Sequence, residues 1–377
     1  MPELLYSINP DRNIPWNDLP PLPIKEELYK TIEILEKLGN AKAALARLHG
    51  RSAVIPNQGL LINTISLQEA KTSTAIENIF TTDDELYKAY SEKNSESNTK
   101  SAPKEVLRYR EALWSGYNYL QKENLFTRKY FIQVYQQIKQ TTDEIRLPFS
   151  NTVIKQGGTG ANAGKVVYTP PRGKGVIESK LDNLIDFVND DEKYKIDHLL
   201  KMAIAHFQFE AIHPFTDGNG RTGRIFNIHY LTNKGLLDFP ILYLSKYILA
   251  HKDDYYENIM GVSQRGNWKN WLLFMLKAIE VTSNNTFDMI NDIVLSKNSI
   301  LEYISSEGKF KDVEKLSEFL FMQPFIKVSH LVGGGLYAEG TARKYLNTLS
   351  DLRVLEKKNI GGKQYYLNNE LYRILSK

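Results

Sequence analysis

One stretch of this chain reads His213-Pro214-Phe215-Thr216-Asp217-Gly218-Asn219-Gly220-Arg221-Thr222-Gly223-Arg224. It brings a histidine, a carboxylate, three glycines and two arginines together within twelve consecutive residues. Phosphoryl and nucleotidyl transfer need these residue types, because their catalysis is mostly positioning and neutralisation of charge on phosphate oxygens. The stretch therefore predicts a site that binds a nucleotide.

The stretch is predicted to lie between two helices. Apolar residues from Ile196 to Ala211 follow helical spacing. Pro214 should end that helix and leave His213 in a non-helical conformation. A second helix is predicted from about Arg221, so the glycines of the stretch stand ahead of a helix start.

The chemistry of the loop follows from this placement. Gly218, Asn219 and Gly220 expose backbone N–H groups where a helix dipole attracts an anion. Arg221 and Arg224 are three residues apart, so both project from the first turn, and each guanidinium can hold two phosphate oxygens. The loop is therefore predicted to bind phosphate groups.

Asp217 can supply a hard oxygen ligand to Mg²⁺, and His213, four residues earlier, can take a proton from an attacking hydroxyl. Taken singly, each feature has a structural alternative. A glycine-bearing loop with arginines is often only a helix cap, and a His-Pro pair is usually structural. Their occurrence together favours a functional site.

Three other sites are excluded. No Gly-Lys-Ser or Gly-Lys-Thr is present, which excludes a Walker phosphate loop, and glycines between helices exclude a Rossmann fingerprint. His206, Glu210 and His213 do not form a zinc-protease site, since its two histidines would have to be four residues apart.

Composition limits the remaining classes. The 377 residues suggest two or three domains, and 42% hydrophobic with 24% charged residues is ordinary for a globular protein. The absence of cysteine excludes disulfides and thiolate chemistry. No apolar run is long enough to span a membrane, and no secretory signal is recognised, so we expect a cytoplasmic protein with no membrane partner.

The N-terminal part reads as helices joined by turns. A helical pattern runs from Lys25 to Leu38, and a second region from Leu60 to Tyr90 is broken near Thr81-Thr82-Asp83, where a capping residue can start another helix. Residues 91–104 are polar and predict a surface loop or linker.

The central part, from Glu105 to about Lys297, is mostly helical with one β-rich interruption. Val166-Val167-Tyr168-Thr169 reads as a short strand ended by two prolines, and Thr152-Val153-Ile154 precedes a run of glycines. A β-hairpin is predicted here.

The C-terminal part has a different pattern, in which helical runs are followed by strand-like runs. Helical runs at Val328–Leu331 and Thr341–Leu352 are followed by Val354–Lys357, a Gly361-Gly362 turn and Gln364–Leu367. This order is typical of a winged helix-turn-helix.

From Lys309 onward there are 12 Lys and Arg against 7 Asp and Glu. A basic winged helix suggests DNA, although many such domains bind proteins. The candidate DNA contacts are Thr341, Arg343, Lys344, Lys357, Lys358 and Lys363.

The central stretch resembles the signature of the Fic family, His-Pro-Phe-x-Asp/Glu-Gly-Asn-Gly-Arg-x-x-Arg, at every fixed position. The resemblance runs from Leu22 into the tail, and is greatest to bacterial members with an N-terminal helical region, a Fic core and a C-terminal winged helix. It implies a mainly α fold with a β-hairpin flap. The predicted divisions are 1–104 for the helical region with an inhibitory helix, 105–297 for the Fic catalytic core and 298–377 for the winged helix-turn-helix.

The resemblance also implies an activity, which is transfer of AMP from ATP to a Ser, Thr or Tyr hydroxyl of a protein with pyrophosphate leaving. By that resemblance His213 is the base, Asp217 holds Mg²⁺, Arg224 grips the γ-phosphate, and the catalytic set is completed by Arg221. The implied ATP-binding set is Gly218, Asn219, Gly220, Arg221, Thr222, Gly223, Arg224, Tyr255 and Tyr256.

The roles that the resemblance implies for the hairpin flap and for the tyrosine pair have structural alternatives. The family's flap pairs with the target peptide as an added strand, a role that fits Val166, Val167, Tyr168 and Thr169. Without the resemblance the segment is a plain surface hairpin. Tyr255-Tyr256 resembles the pair that lines the nucleobase pocket, but tyrosines at such positions can be packing aromatics.

Residues 73–78 read Ser-Thr-Ala-Ile-Glu-Asn and match the family's inhibitory pattern, Ser/Thr-x-x-x-Glu-Gly/Asn. The resemblance implies that Ser73 and Glu77 are inhibitory and that Glu77 pairs bidentately with Arg224, leaving ATP in an unproductive pose. A glutamate on an amphipathic helix is more often simply solvated. In some relatives the same glutamate also supports removal of AMP.

Other functions stay open at the level of sequence. One is a DNA-binding regulator without enzymatic activity, and another is transfer of phosphate, phosphocholine or a different nucleotide by the same fold. The target protein is not identified, and it can be the chain itself.

Overall fold

The mainly helical fold expected from the sequence is confirmed. A computed structural model describes residues 5–53, 58–91, 101–155, 164–360 and 362–376. Residues 92–100 of the predicted linker, residues 156–163 between the predicted strands, and Gly361 of the predicted turn lie outside the described residues. Among the described residues, no helix has the length and apolarity needed to cross a bilayer.

The described residues of the N-terminal part form the α-helices α1 (Ile32–Ala53), α2 (Gln58–Ile76) and α3 (Asp83–Ser91). The prediction of one helix over 25–38 was wrong. A short 3₁₀ turn at Glu26–Leu28 ends at Tyr29, whose backbone leaves helical angles at φ −129°, and the Thr31 hydroxyl then accepts from the Ile34 N–H at 3.4 Å to start α1.

The predicted break between α2 and α3 is confirmed. The Glu85 N–H donates to the Thr82 hydroxyl at 3.2 Å, and the Thr82 N–H donates to the Glu85 carboxylate at 3.0 Å. This reciprocal capping satisfies two N–H groups that have no partner inside the helix.

In the central part, leaving aside residues 156–163, the helices are α4 (Ala102–Glu123), α5 (Arg128–Lys139), α6 (Val176–Asn189), α7 (His198–Ile212), α8 (Asn219–Asn233), α9 (Leu244–Ala250), α10 (Lys252–Arg265) and α11 (Trp268–Ser306). Nearly all residues of α7 and α8 are buried, so these two helices are surrounded by the others. The loop between them is therefore held by packing on several sides.

The predicted hairpin is present but shorter than expected. Strand β1 (Ile154–Lys155) pairs antiparallel with β2 (Val166–Tyr168), so Thr152, Val153 and Thr169 lie outside the strands. The Tyr168 hydroxyl donates to the Ala211 carbonyl at 2.7 Å. The hairpin is thereby tied to the last turn of α7.

The C-terminal part contains α12 (Val313–Met322), β3 (Phe325–Ile326), α13 (Val328–Gly333), α14 (Glu339–Asp351), β4 (Glu356–Ile360), β5 (Lys363–Leu367) and α15 (Asn369–Leu375). The antiparallel sheet has the order β3-β5-β4, and the sequence did not predict β3. The first hairpin strand starts two residues later than predicted, because the N–H groups of Val354 and Leu355 both donate to the Leu349 carbonyl at the end of α14.

The C-terminal part packs on the N-terminal helices rather than standing apart. The Tyr87 ring of α3 stacks on Phe325 at 6.1 Å, and the Tyr372 hydroxyl donates to Asp84. Helix α11 also continues without a break through residue 297. The divisions at 104 and 297 therefore stay predictions of sequence, and the structure joins the three parts by one hydrophobic cluster.

Helix α4 packs closely against α8 at Gly116. A Cβ atom at Gly116 would lie 2.5 Å from Cε1 of His229. That imidazole is fixed, since its Nε2 donates to the Leu113 carbonyl at 2.7 Å and its Nδ1 accepts from the Tyr130 hydroxyl at 2.6 Å. Glycine is required here for space, because the neighbour that would have to move is a hydrogen-bonded core residue.

We predict that Gly116→Ala lowers the free energy of unfolding by about 1–3 kcal/mol, the usual cost of overpacking a core. Gly39→Ala is the matched control, since Gly39 lies on an exposed face inside α1 and a Cβ there meets nothing within 4 Å. That control should instead stabilise the protein by about 0.5–1 kcal/mol. Urea unfolding measures both, and equal midpoints for the two variants would contradict the close approach of α4 and α8.

Candidate active site

The loop between α7 and α8 leaves helical geometry at His213 as predicted, but α8 begins at Asn219, two residues earlier than predicted, so Gly220 lies inside the helix. His213 ends α7 in the left-handed region at φ 50° and ψ 60°, with its N–H donating to the Phe209 carbonyl at 3.0 Å. Pro214 has no N–H with which to continue the helix. Phe215 is fully buried and stacks on Tyr135, with ring centroids 4.2 Å apart. The loop is thus anchored in the core immediately after the histidine.

The Asn219 and Thr222 side chains brace this loop from inside. The Asn219 amide accepts from the Phe215 N–H at 2.9 Å and donates to the Phe215 carbonyl at 2.8 Å, and the Thr222 hydroxyl donates to the Gly218 carbonyl at 3.0 Å. Gly218 itself has φ 79°. Both side chains hold the loop, so the groups left to bind an anion are the N–H donors at the start of α8.

The two arginines of the stretch are buried and have carboxylate partners. Arg221 contacts Glu105 of α4 at 3.0 Å. Arg224 donates from Nε to the Ser73 hydroxyl at 2.8 Å and from Nη2 to the Glu77 carboxylate at 2.8 Å and the Ser73 carbonyl at 2.9 Å. The structure thus brings together Ser73, Glu77 and Arg224, which are far apart in sequence.

The contact between Glu77 and Arg224 differs in detail from the expectation. A bidentate pair was expected, but only Nη2 reaches Glu77, because Ser73 takes the Nε donor. Burial by itself would raise the pKa of Glu77, but the charge and hydrogen bond of Arg224 outweigh it and hold that pKa below its usual range. Glu77 is therefore an anion at neutral pH.

Gly220 leaves the space in which this pair sits. A Cβ atom at Gly220 would lie 2.5 Å from Oε1 of Glu77 and 2.9 Å from Nη1 of Arg224. The pair therefore lies directly against the first turn of α8, where backbone N–H groups can bind an anion. A carboxylate and a phosphate group would compete for the same arginine.

Asp217 lies at the mouth of the loop, with 65% of its side chain exposed. Burial opposes ionisation, but the hydrogen bond and charge of Lys139 hold the pKa of Asp217 below its usual value. No cluster of three or more metal-ligating side chains occurs in the described part of the chain. One carboxylate fits Mg²⁺ only together with phosphate oxygens, which is a common arrangement for this ion.

The His213 imidazole is poised as a neutral base. Burial lowers its pKa to about 4, and the nearby Arg146 cation contributes in the same direction. The Glu210 carbonyl, Glu77 and Asp217 act in the opposite direction and do not restore the usual value. The ring is therefore unprotonated at neutral pH.

The two tyrosines proposed for the nucleobase pocket have different surroundings. Tyr255 is buried, and its hydroxyl lies 2.8 Å from Nε2 of His206. Tyr256 is 39% exposed, with its ring edge-on to Tyr255 at 5.3 Å. Tyr255 is thus part of the core, and Tyr256 is the one of the two that can meet a ligand from solvent.

The predicted docking edge is partly covered by the chain's own N-terminal segment. The Trp16 N–H donates to the Thr169 carbonyl at 3.1 Å, and the Thr169 hydroxyl donates to the Arg12 carbonyl at 2.7 Å. Tyr168 is buried, whereas Val166 and Val167 are partly exposed. The docking role stays a prediction, and only these two valines keep surface for it.

Sequence reasoning missed three charged residues at the site: Glu105, Arg146 and Glu210. Glu105 and Arg146 lie on segments far from the stretch. Glu210 is three residues before His213, and was considered only as a zinc-protease residue. Burial raises the pKa of Glu210 to about 8, although Arg224 lowers it. A carboxylate that tertiary packing brings close to Arg224 cannot be recognised from spacing alone.

Two of the predicted DNA-contacting residues are paired with carboxylates. Arg343 pairs with Glu339 at 2.8 Å, and Lys358 pairs with Glu356 at 2.7 Å. Paired cations contribute less to the positive potential that attracts a phosphate backbone.

Three family models match successive parts of the chain. Residues 35–118 match the Fic/DOC family N-terminal model, residues 125–231 match the Fic/DOC family model, and residues 312–371 match the C-terminal domain of SoFic-like protein adenylyltransferases. The chain belongs to the Fic/DOC family. The resemblance expected from the loop is thereby confirmed over most of the chain.

Named relatives match smaller parts of this Fic-family chain. Protein adenylyltransferase fic-1 of Caenorhabditis elegans is 30% identical over 115 residues, which are 30% of this chain and 21% of the relative. A probable protein adenylyltransferase of Aquifex aeolicus is 27% identical over 202 residues, covering 52% of this chain and 62% of the relative. The chain thus matches from a fifth to less than two thirds of these relatives' lengths.

Solved structures share the fold. A Fic family protein from Desulfovibrio desulfuricans G20 has a TM-score of 0.53 at 18% identity, covering 92% of this chain and 98% of the other. A Fic-domain signalling protein from Bacteroides thetaiotaomicron has a TM-score of 0.53 at 15% identity, covering 67% of this chain and 95% of the other. The likeness shows a common architecture.

We predict that pyrophosphate stabilises the Glu77→Gly variant more than the unaltered protein, because Arg224 is then free to bind an anion. At about 100 times its Kd, a ligand of the folded state adds about 2.7 kcal/mol. Differential scanning calorimetry measures the rise in Tm. Glu123→Gly is the control, since Glu123 is an exposed glutamate at the end of α4; equal pyrophosphate effects in the two variants would show that Glu77 does not occupy the anion site.

Proposed function

We propose that this protein is an adenylyltransferase that moves AMP from ATP to a Ser, Thr or Tyr hydroxyl of a protein. One observation carries the proposal. The buried Arg224 is held against the anion-binding turn of α8 by Glu77, and a neutral imidazole ends the preceding helix. A base, an anion-binding turn and a buried cation are what attack on a nucleoside triphosphate requires.

In the proposed reaction, His213 takes the proton of the target hydroxyl as its oxygen attacks the α-phosphorus. A new P–O bond joins AMP to the target, and the bond between the α-phosphorus and the bridging oxygen breaks. Pyrophosphate leaves with that oxygen and its electron pair. A neutral imidazole is the form that can accept the proton.

The phosphates would be held by the first N–H groups of α8, by Arg221 and by Arg224. Asp217 would hold Mg²⁺ together with phosphate oxygens, and the ion would neutralise charge on the triphosphate. Lys139 must release Asp217 for this, and its side chain is partly exposed. Tyr256 is the side chain that we assign to the nucleobase.

Autoinhibition by Glu77 is part of the proposal. Arg224 makes three hydrogen bonds to α2 and the residue that follows it, so a γ-phosphate would have to displace Glu77 to reach the guanidinium. ATP bound without that contact has no fixed triphosphate geometry. The resting protein should therefore transfer AMP slowly.

We predict that Glu77→Gly raises transfer of label from α-³²P-ATP to protein, because Arg224 becomes available to the γ-phosphate. Label from γ-³²P-ATP should not be transferred, and Glu77→Gly combined with His213→Ala should lose roughly 10²- to 10⁴-fold of the rate. Mass spectrometry of the chain itself and of a cell extract identifies the product. Transfer of γ-label would indicate a kinase instead, and equal rates with and without Glu77 would exclude the brake.

The pH dependence follows from the pKa of His213. An imidazole with a pKa of about 4 is a base throughout the neutral range. Removing Glu77 takes away an anion that raises this pKa, so it should fall further in Glu77→Gly. We predict that kcat/KM of this variant stays constant from about pH 8 to about pH 5.5. A histidine with an ordinary pKa of about 6.5 would instead lose half of kcat/KM near that pH. Initial rates measured across this range distinguish the lowered pKa from the ordinary one.

Two predictions from the sequence stay as they were. DNA binding by the C-terminal part is the competing function, and fluorescence anisotropy with duplex DNA at two salt concentrations would test it. The cytoplasmic location also stays a prediction.

A further inference from the structure

Arg146 lies between α5 and β1, and only 3% of it is exposed. Its Nε donates to the His213 carbonyl at 2.8 Å, and its backbone N–H donates to the Pro214 carbonyl at 2.9 Å. Its Nη2 donates to the carbonyls of Pro171 at 2.6 Å and Ile212 at 3.3 Å. One side chain thus contacts the base-bearing loop and the segment that follows the hairpin.

The position of this cation suits the end of α7. The last carbonyls of a helix have no partner inside it, and their dipoles favour a positive charge. Arg146 fills two such positions, at Ile212 and His213, where the chain turns into the left-handed region. It therefore stabilises the backbone conformation that aims the imidazole.

The same side chain fixes the hairpin relative to the base. Pro171 follows β2, and Ser150, which precedes β1, accepts from Nη1 of Arg146 at 3.4 Å. The hairpin is also held to α7 through Tyr168. Loss of Arg146 would free both the loop of His213 and the segments on either side of the hairpin.

Arg146 also sets the charge around the imidazole. Three charged groups that shift the pKa of His213 are Arg146, from the segment before β1, Glu77, after α2, and Asp217, in the loop itself. Of these three, Arg146 is the cation, and it opposes the two carboxylates. Burial lowers the pKa of Arg146 to about 10, which leaves it a cation at neutral pH.

We propose that Arg146 is a positioning residue for His213, holding the catalytic loop and the hairpin in one arrangement and keeping a positive charge beside the imidazole. The inference rests on the proposed function. Among the described residues, no carboxylate lies within ion-pair distance of Arg146. Its hydrogen bonds go instead to backbone carbonyls and one hydroxyl, and bonds to carbonyls fix the path of the backbone.

The test compares three variants in the Glu77→Gly background: Arg146→Gln, Arg146→Lys and the control Arg172→Gln. Glutamine removes both the charge and the fork of donors. Lysine keeps the charge as a single point that cannot reach several carbonyls at once. Arg172 also joins the segments around the hairpin, through Asn151 at 2.9 Å, but within the described part of the chain none of its hydrogen bonds reaches the loop of His213.

We expect Arg146→Gln to lower kcat by roughly 10²-fold, the usual effect of misplacing a catalytic group, with KM for ATP little changed because the turn of α8 is intact. The acid limb of its pH profile should move up by about one pH unit, since a cation beside the imidazole is lost. Arg146→Lys should lose kcat while its acid limb stays in place. Arg172→Gln should match its parent.

A second measurement does not depend on turnover. ¹³C-labelled histidine gives one NMR signal for each of the seven histidines, and His213→Ala assigns the signal of interest. The pKa of His213 should rise in Arg146→Gln and stay in Arg146→Lys. An unmoved pKa in Arg146→Gln, or full kcat in Arg146→Lys, would overturn the proposal. If the parent transfers no AMP, the proposed function fails, and the titration still decides whether Arg146 controls the imidazole.

Discussion

A buried guanidinium needs hydrogen-bond acceptors inside the protein, and the packing around Arg224 supplies them. Its cation is almost fully removed from solvent and is matched by one carboxylate, one hydroxyl and one carbonyl, all supplied by α2 and the residue after it. A buried charge without a partner is strongly destabilising. The packing of α2 against α8 therefore pairs Arg224 with Glu77 at the place where we propose that a phosphate binds.

Helix α2 is held in place by more than this pair. Glu69, two turns before Glu77, is buried and bonds to the Ser245 N–H, the Ser245 hydroxyl and the Tyr109 hydroxyl. Burial raises the pKa of Glu69 to about 7, against the effect of these bonds. The C-terminal part packs on the same helix, through α12 and α15. Because Glu77 follows the last residue of α2, its displacement from Arg224 can leave α2 folded and Ser73 still bonded to the guanidinium.

The loop between α7 and α8 was the best predicted part of the molecule, because its conformation depends on local chemistry. Proline after His213 and glycine before α8 act within a few residues, as does the Thr82–Glu85 cap. Prediction failed where a contact with a residue distant in sequence determines the bounds of a helix or strand. The helix expected over 25–38 is interrupted where the Tyr29 ring enters the core, and strand β4 begins later than predicted because of hydrogen bonds to the Leu349 carbonyl.

The sequence by itself determined the residue types of the site, the break at His213, the glycine turn and the mainly helical class, since each depends on neighbours along the chain. Only the tertiary structure decided that Glu105 meets Arg221, that Ser73 leaves Glu77 a single contact with Arg224, and that Arg146 donates to the His213 carbonyl. The low pKa of His213 is also a tertiary property. It comes from burial and from charges on other segments, and neither is visible in the order of residues.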